Sequence, residues 1–469
     1  MKIKDFGQVF TPRNIVIDIL NASDYRGKKI LNKNVIDNSC GNGAFLVTIV
    51  ERYIEEYIKH HKSLKGIDKH LEKYIHGIEM DKDIYQECIE NLNKFISKYN
   101  IGKIKWDILN EDTLKVGNYN GKMDFVIGNP PYVRVHNLDN QYNNVKEYSF
   151  CLNGMTDLYI VFYEIGLRML NKNGILCYIT PNSFYNSLAG SQLRKYIKEN
   201  RCMELIMDLG HYQPFSVITY TTICKIHKSK TFDNCKYYKY DLKTGIPKYI
   251  CSISYNDLFI DNNIVLSENN QKYFKYLNYK ISKNSKVQVK NGFATLNDKV
   301  FIQERFDLKN NIIKVIKAST GQWKECIFPY DKNGKVLKFE ELGQDTQKYL
   351  LKNKERLIKF GSRTDSNWYA FGRSQAIHDV FKEKIAINTI IKDIDSIKIN
   401  RVKSGEGVYS GLYMLTSIPF DIINEKICSE GFIEYLRVLN KCKNDGYFAF
   451  SSKDLSKYIN CVIEEKDSD

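Results

Sequence analysis

The chain of 469 residues is long enough for two or three domains, and its 43% apolar content supplies a full core, which excludes an intrinsically disordered protein. Lys and Arg number 70 against 55 Asp and Glu, and the net charge of +15 suits a polyanion such as nucleic acid, although the crowding of Lys, Asn, Ile and Tyr also matches an A/T-rich gene. The 12 cysteines include no CxxC pair and none beside a His at ligand spacing, no apolar run reaches the ~18 residues of a membrane span, and no secretory leader opens the chain, so we expect no zinc, no membrane contact and a cytoplasmic protein with reduced thiols.

The first half alternates short apolar strands with amphipathic helices. "KNVIDNSC" (33–40) predicts a strand running into a Gly-bearing turn, and "GAFLVTIVERYIEEYIKHH" (43–61) a helix. "YIHGIEM" (74–80) reads as a second strand and "KDIYQECIENLNKFISKY" (82–99) as a second helix. "IKWDILNEDTL" (104–114) is a third strand with its loop, and "KMDFVIGNPPY" (122–132) a fourth. The helix "DLYIVFYEIGLRML" (157–170) is expected to stop at the Asn and Gly of "NKNGILCYITP", which then supplies a fifth strand. "CMELIMDLG" (202–210) and "YTTICKIHK" (220–228) carry the strand pattern to about residue 230. This rhythm predicts an α/β fold, a mostly parallel sheet with helices on both faces. From residue 229 onward the strands become short and aromatic and the alternation is lost. "LSENNQKYFKYLNYKIS" (266–282) reads as a connecting helix, and a domain boundary falls near residue 265.

In an open parallel sheet, ligands bind beyond the carboxyl ends of the strands, which is where four turns of this chain fall. In "DNSCGNGAFL" Asp37 closes a strand, and Gly41 and Gly43 permit a tight turn into a helix with free N–H groups. A GxG is either a cofactor cradle or a plain strand–helix joint. In "GIEMD" Glu79 ends the second strand, where a carboxylate either binds ribose hydroxyls or caps the next helix, a role open also to Asp81. Met80 beside it offers an apolar cover for a purine face, and Asp112 of "NEDTL" is either an amino-group acceptor or an isolated loop acid. The fourth turn is the most specific. Any residue could stop the strand "DFVI", yet the chain uses Asn129, Pro130, Pro131 and Tyr132. Two prolines fix φ twice and remove two donors. What remains is a rigid set of acceptors, the Asn129 amide oxygen and the Pro130 carbonyl, beside the flat face of Tyr132. Such a turn suits a planar ring that carries an amino group.

On these motifs, in this order and preceded by Phe10, Thr11 and Pro12, the chain resembles the N6-adenine DNA methyltransferases of the gamma class, the TaqI-type enzymes of restriction–modification systems. The resemblance covers the first half to about residue 230. It implies a Rossmann-like S-adenosylmethionine-dependent methyltransferase domain over residues 1–265 and an α+β target-recognition domain over 266–469. It assigns Thr11 and Pro12 to an element that closes over the methionine end of S-adenosyl-L-methionine. Asp37, Ser39, Gly41 and Gly43 match the turn holding that same end, Glu79 the ribose acid, Met80 the adenine cover and Asp112 the acceptor for its amino group; Thr113 stands where the family has an apolar residue. Asn129, Pro130, Pro131 and Tyr132 match the catalytic turn, and Phe215, in "GHYQPFSVITYTTI" with Tyr212 nearby, maps to the residue that stacks on the target base. The implied activity is methyl transfer to N6 of an adenine flipped out of double-stranded DNA, by a monomer that is either an orphan methylase or the partner of a separate restriction endonuclease.

In the second half "NGFATLNDKVFI" (291–302) predicts a Gly turn followed by an apolar strand. The segment 349–375 interleaves Lys352, Lys354, Arg356, Lys359, Arg363 and Arg373 with Trp368, Tyr369 and Phe371. Both segments resemble the family's target-recognition domain, though aromatics in a core with lysines around them would read the same way, and no residue here is assigned to base reading. A nicotinamide dehydrogenase would leave the Asn-Pro-Pro-Tyr turn unexplained. An N6-methyltransferase acting on RNA, or a methyltransferase acting on a protein Gln side chain, shares that turn but usually lacks the long basic second half. A fused nuclease is not expected, with the motifs entered within ten residues and no convincing paired-acid and Glu-x-Lys signature after them. A catalytically dead, DNA-binding relic would have lost a motif residue, and none is lost.

Overall fold

The structure is a computed structural model that describes residues 11–134, 145, 147–154, 156–215, 219–266, 275–358, 367–439, 441–443 and 446–466. The chain divides into two compact units, Met1–Asn270 and Gln271–Asp469. No helix among the described residues is long and apolar enough to cross a membrane.

The first unit is built on α1 (Arg13–Ala22), β1 (Val35–Asp37), α2 (Ala44–His61), α3 (Ile67–Tyr74), β2 (Ile75–Ile78), α4 (Lys82–Ser97), β3 (Asp107–Leu109), β4 (Met123–Gly128), α5 (Leu158–Met169), β5 (Leu170–Pro181), α6 (Ser191–Asn200), β6 (Met203–Asp208), β7 (Thr221–His227), β8 (Asn234–Tyr240) and β9 (Pro247–Ser254). These strands form one sheet in the order β3-β2-β1-β4-β5-β7-β6-β8-β9. β3 through β5 run parallel, β7 is antiparallel to both of its neighbours, β6 and β8 are parallel, and β9 returns antiparallel. It is a Rossmann-like α/β fold. The aromatic segment after residue 229, where the alternation of strand and helix ends, is not a separate region: its hairpin β8–β9 extends this same sheet.

Alternation along the central strands divides the core between two faces. Phe125, Ile127, Cys177 and Ile179 point to one face, where Ile15, Ile19, Phe45, Ile49 and Leu92 of α1, α2 and α4 cover them. Val126, Leu176 and Tyr178 point to the other, under α5 and α6. Each such aliphatic or aromatic side chain contributes about 1.5–3 kcal/mol on burial. α5 is apolar nearly all round and accordingly buried on nearly every side. Its one interior acid, Glu164, accepts hydrogen bonds from Ser149 Oγ and the Phe150 N–H at 3.1 and 2.9 Å.

One expected boundary differs. Asn171 and Gly174 do not terminate α5; the helix ends at Met169 and Leu170 is already extended. Leu170 pairs with Met123 while Ile175 pairs with Phe125, so the residues between them form a bulge within β5. A Cβ at Gly174 would lie 2.8 Å from the Met123 carbonyl, so the close strand contact is what the glycine serves. Of the expected connecting helix 266–282, residues 267–274 lie outside the described residues, and 275–278 are helical.

The second unit holds a four-stranded sheet of Gln288–Asn291, Leu412–Leu415, Lys384–Ile387 and Ile399–Val402, and another of Ile302–Gln303, Gln322–Ile327, Ile312–Lys317 and Gly407–Tyr409. With its helices, among them Ser452–Lys466, it is α+β. In 291–302 the strand expected after the turn is mostly a helical turn, Asp298–Phe301, and its end, Ile302, pairs in a sheet together with Gln303. Thr295 Oγ1 donates to Asp298 at the start of that turn, a local bond that competes with strand pairing.

Candidate active site

The carboxyl ends of β1, β2, β3 and β4 bring Asp37, Glu79, Asn110 and Asn129 to one edge of the sheet. At β1 the Asp37 side chain is fully buried, and its Oδ1 accepts the Ser39 N–H at 3.1 Å. Burial pushes its carboxyl up to about 8, and the nearby Glu79 charge acts in the same direction against the Ser39 hydrogen bond. The turn that follows needs both glycines, for different reasons. Gly41 lies in the left-handed region at φ +53 with open space around it, whereas Gly43, at φ +86, stands where a Cβ would approach Cys88 Sγ to 2.9 Å. α2 then begins without a side-chain cap, which leaves first-turn N–H groups at this edge.

The cap of α4 falls to Asp81, which accepts the N–H groups of Asp83 and Ile84. Glu79 is buried instead, and its two oxygens accept from Gly41 N–H at 2.9 Å and Asp81 N–H at 2.8 Å. Burial raises its pKa. A carboxylate has about four lone-pair sites, so these backbone N–H groups do not exhaust it. Asn110 donates to the carbonyls of Glu79 and Met80 at 2.9 and 3.1 Å and so holds the acid in place. Met80 beside it is exposed. Asp112 is half-buried and caps a short 3-10 helix through Oδ1, which accepts the Leu114 N–H. Thr113 is buried, its hydroxyl donating to the Asn38 carbonyl at 2.6 Å.

At the end of β4 Asn129 is held at its side chain and at its backbone. Asn129 Nδ2 donates to Thr11 Oγ1 at 3.0 Å, and Ser39 Oγ donates to the Asn129 carbonyl at 3.2 Å. Gly128 makes this possible, because a Cβ there would lie 2.5 Å from Asp37 Oδ1. Pro130 is buried, and Tyr132 is half-buried with its hydroxyl donating to the Ile179 carbonyl at 3.2 Å. The Tyr132 ring meets Phe215 edge-on, centroids 6.5 Å apart at 87°, and Tyr159 in a similar way. Phe215 is buried. Its sequence neighbour Tyr212 is engaged elsewhere: it stacks on Tyr240 at 5.4 Å, and its hydroxyl accepts from Asn14. Thr11 is buried, Pro12 leads into α1, and Phe10 lies outside the described residues.

Sequence reasoning missed Gly128, Asn110 and Asn38 here. Buried Asn38 bridges the site to β5 by accepting from Tyr178 Oη at 2.8 Å. Only Gly128, lying directly before the Asn-Pro-Pro-Tyr turn, had a signal in view. In the second unit Trp368, Tyr369 and Phe371 are core residues, Phe371 packing against Phe293, Phe301 and Tyr330. Lys354 lies over the Trp368 ring, while Lys359 and Arg363 lie outside the described residues.

The Asp37 environment sets an expected pH response. The unfolded chain releases this proton near the ordinary 3.8, the folded protein only near 8, so folding binds the proton in between. Wild-type stability should lose up to about 1.4 kcal/mol per pH unit from this group as pH rises through that window, and level off above it. Melting curves of Asp37→Asn, which cannot titrate, should therefore gain on the wild type from about pH 5 to about pH 8. A difference independent of pH would refute a neutral buried Asp37.

Residues 39–215 match the Eco57I restriction-modification methylase family. Among curated proteins, the Type II restriction enzyme and methyltransferase RM.Eco57I of Escherichia coli is 25% identical over 523 residues, covering 88% of this chain and 52% of that protein. The Type II methyltransferase M.BstVI of Geobacillus stearothermophilus is 32% identical over 246 residues, covering 48% of this chain and 43% of that one. The chain thus spans about half the length of these relatives, or less. Among solved structures, the Type IIL restriction-modification enzyme MmeI, in complex with DNA, superposes with a TM-score of 0.64 at 14% identity, over 97% of this chain and 68% of that one. The Type ISP enzyme LlaGI gives 0.56 at 14% identity over 98% and 47%. At these identities the likeness concerns the fold. Over residues 39–215 this chain is thus similar to the Eco57I restriction-modification methylases.

Proposed function

We propose that this protein is a site-specific DNA adenine methyltransferase, of the gamma class, that uses S-adenosyl-L-methionine to methylate N6 of an adenine flipped out of double-stranded DNA. The observation that carries the reading is the turn after β4, where the anchored Asn129 amide stands beside a perpendicular Tyr132–Phe215 pair. The donor set suits the cofactor. Glu79 and Asp112 offer carboxylates, and Asp37 a buried carboxyl, to a ligand with a cationic ammonium, a sulfonium and a ribose, and exposed Met80 offers an apolar face. When bound, the cofactor supplies an electrophilic methyl group.

The residues of this chain supply the rest. The lone pair of an adenine amino group is delocalised into the ring and attacks poorly. Asn129 Oδ1 and the Pro130 carbonyl accept its two N–H bonds and draw the nitrogen toward a tetrahedral, localised geometry. They also stabilise the positive charge that grows on that nitrogen, as preorganised dipoles do best in a water-poor site. The two prolines keep the acceptors from reorganising. No general base is required, since the proton leaves the methylated nitrogen afterwards to Asn129 or water. An adenine inside a duplex cannot reach this turn, so it is flipped, and Tyr132 and Phe215 replace its lost stacking. The second unit serves target recognition, with basic side chains on phosphates.

The test is direct. DNA incubated with the purified protein and S-adenosyl-L-methionine should yield N6-methyladenine on nucleoside mass spectrometry, confined to one sequence context on methylation-sensitive sequencing. Methylated cytosine instead, or methyl groups found only on RNA or a protein Gln, would overturn the proposal.

A further inference from the structure

We infer that Thr11 is a positioning residue for the Asn129 amide, holding it with Oδ1 toward the substrate amino group; the inference rests on the methyl-transfer reading above. An Asn side chain is nearly symmetric in shape, and rotation about its last bond exchanges an acceptor oxygen for an NH2 donor. Presented the wrong way, the amide would oppose a donor to an amino group. The Thr11 Oγ1 accepts from Asn129 Nδ2 at 3.0 Å, which turns the NH2 end of the amide toward Thr11.

The anchor is rigid for reasons visible in the chain. Thr11 is β-branched and buried, and the following Pro12 restricts its backbone to extended conformations. Pro12 in turn begins α1, its carbonyl accepting the Val16 N–H at 3.1 Å. On the opposite side Ser39 holds the Asn129 backbone carbonyl and Gly128 packs against Asp37. Loss of the Thr11 hydroxyl therefore frees the amide without freeing the turn. A residue 118 positions upstream thus acts on the reacting centre through Asn129.

A role in cofactor binding, which the family resemblance implies for Thr11, predicts different kinetics. Thr11→Val and Thr11→Ala should lower kcat by about tenfold, the equivalent of one hydrogen bond. The dissociation constant for S-adenosyl-L-methionine from calorimetry and the melting temperature should stay near the wild-type values. Thr11→Ser, which keeps the hydroxyl, should restore most of kcat. The inference fails if either variant keeps full kcat at saturating cofactor, or if the loss appears only as weaker cofactor binding. It fails also if Thr11→Ser is as impaired as Thr11→Val. Wild-type turnover, measured in parallel, separates this from a failure of the functional proposal: a wild type that methylates no adenine refutes that proposal itself.

Discussion

Asn129→Ala should reduce methyl transfer by about 10²–10³-fold or more while leaving cofactor affinity within a few-fold of wild type. In the proposed mechanism the substitution removes one of two acceptors for the adenine amino group, and that acceptor gains strength as positive charge develops on the nitrogen. It therefore weakens the transition state more than the ground state, and the loss belongs in kcat. The fold should persist, because the backbone of the turn is held independently. Ser39 Oγ reaches the Asn129 carbonyl, Tyr132 is tied to the Ile179 carbonyl, and the Val133 carbonyl accepts the Leu158 N–H at 2.8 Å. Single-turnover assays with calorimetry on the same preparation check this. Substantial residual turnover would sink the catalytic role.

Glu79→Ala should weaken S-adenosyl-L-methionine binding by about 10²-fold or more, and DNA binding far less. Two effects combine. In the proposed role of Glu79 the ribose loses a charged acceptor, whose hydrogen bonds contribute about 1.5–3 kcal/mol each. The Gly41 and Asp81 N–H groups also lose the oxygens that fix the turn between β1 and α2 against the end of β2. The α4 cap survives, since Asp81 accepts from Asp83 and Ile84 without Glu79. Calorimetry with cofactor, beside a DNA titration, separates these effects. Unchanged cofactor affinity would refute the assignment. Glu79→Gln should fall between the two, because it keeps an acceptor but not the charge.

Both predictions concern residues that stand out in the sequence, and that legibility has a physical basis. Strand and helix periods are local properties, so β1 to β7 and the longer helices α2, α4 and α5 are readable from the spacing of apolar residues, whereas α3 and α6 are not called from it. Ligand turns of a parallel sheet lie at strand ends, so Asp37, Glu79 and Asn129 are readable from their places after apolar runs. The prolines of "DFVIGNPPY" announce rigidity wherever they stand, because they fix φ without help from neighbours.

What only the tertiary structure decided is every preference set by distant contacts. Tyr212 and Phe215 are equivalent aromatics in the sequence, yet Tyr240 takes one as a stacking partner and leaves the other to face Tyr132. Gly174 looks like a helix stop, but it is a bulge imposed by the close approach of Met123. Trp368, Tyr369 and Phe371 sit among lysines and arginines in the chain and inside the core in space. Gly128 is one more small residue until Asp37, 91 positions earlier in the chain, arrives within 2.5 Å of where its Cβ would be. Thr11 and Asn129 have no local reason to meet. Backbone periodicity is set by the nearest few residues, whereas the orientation of a side chain in a site is set by whatever the closed sheet packs against it.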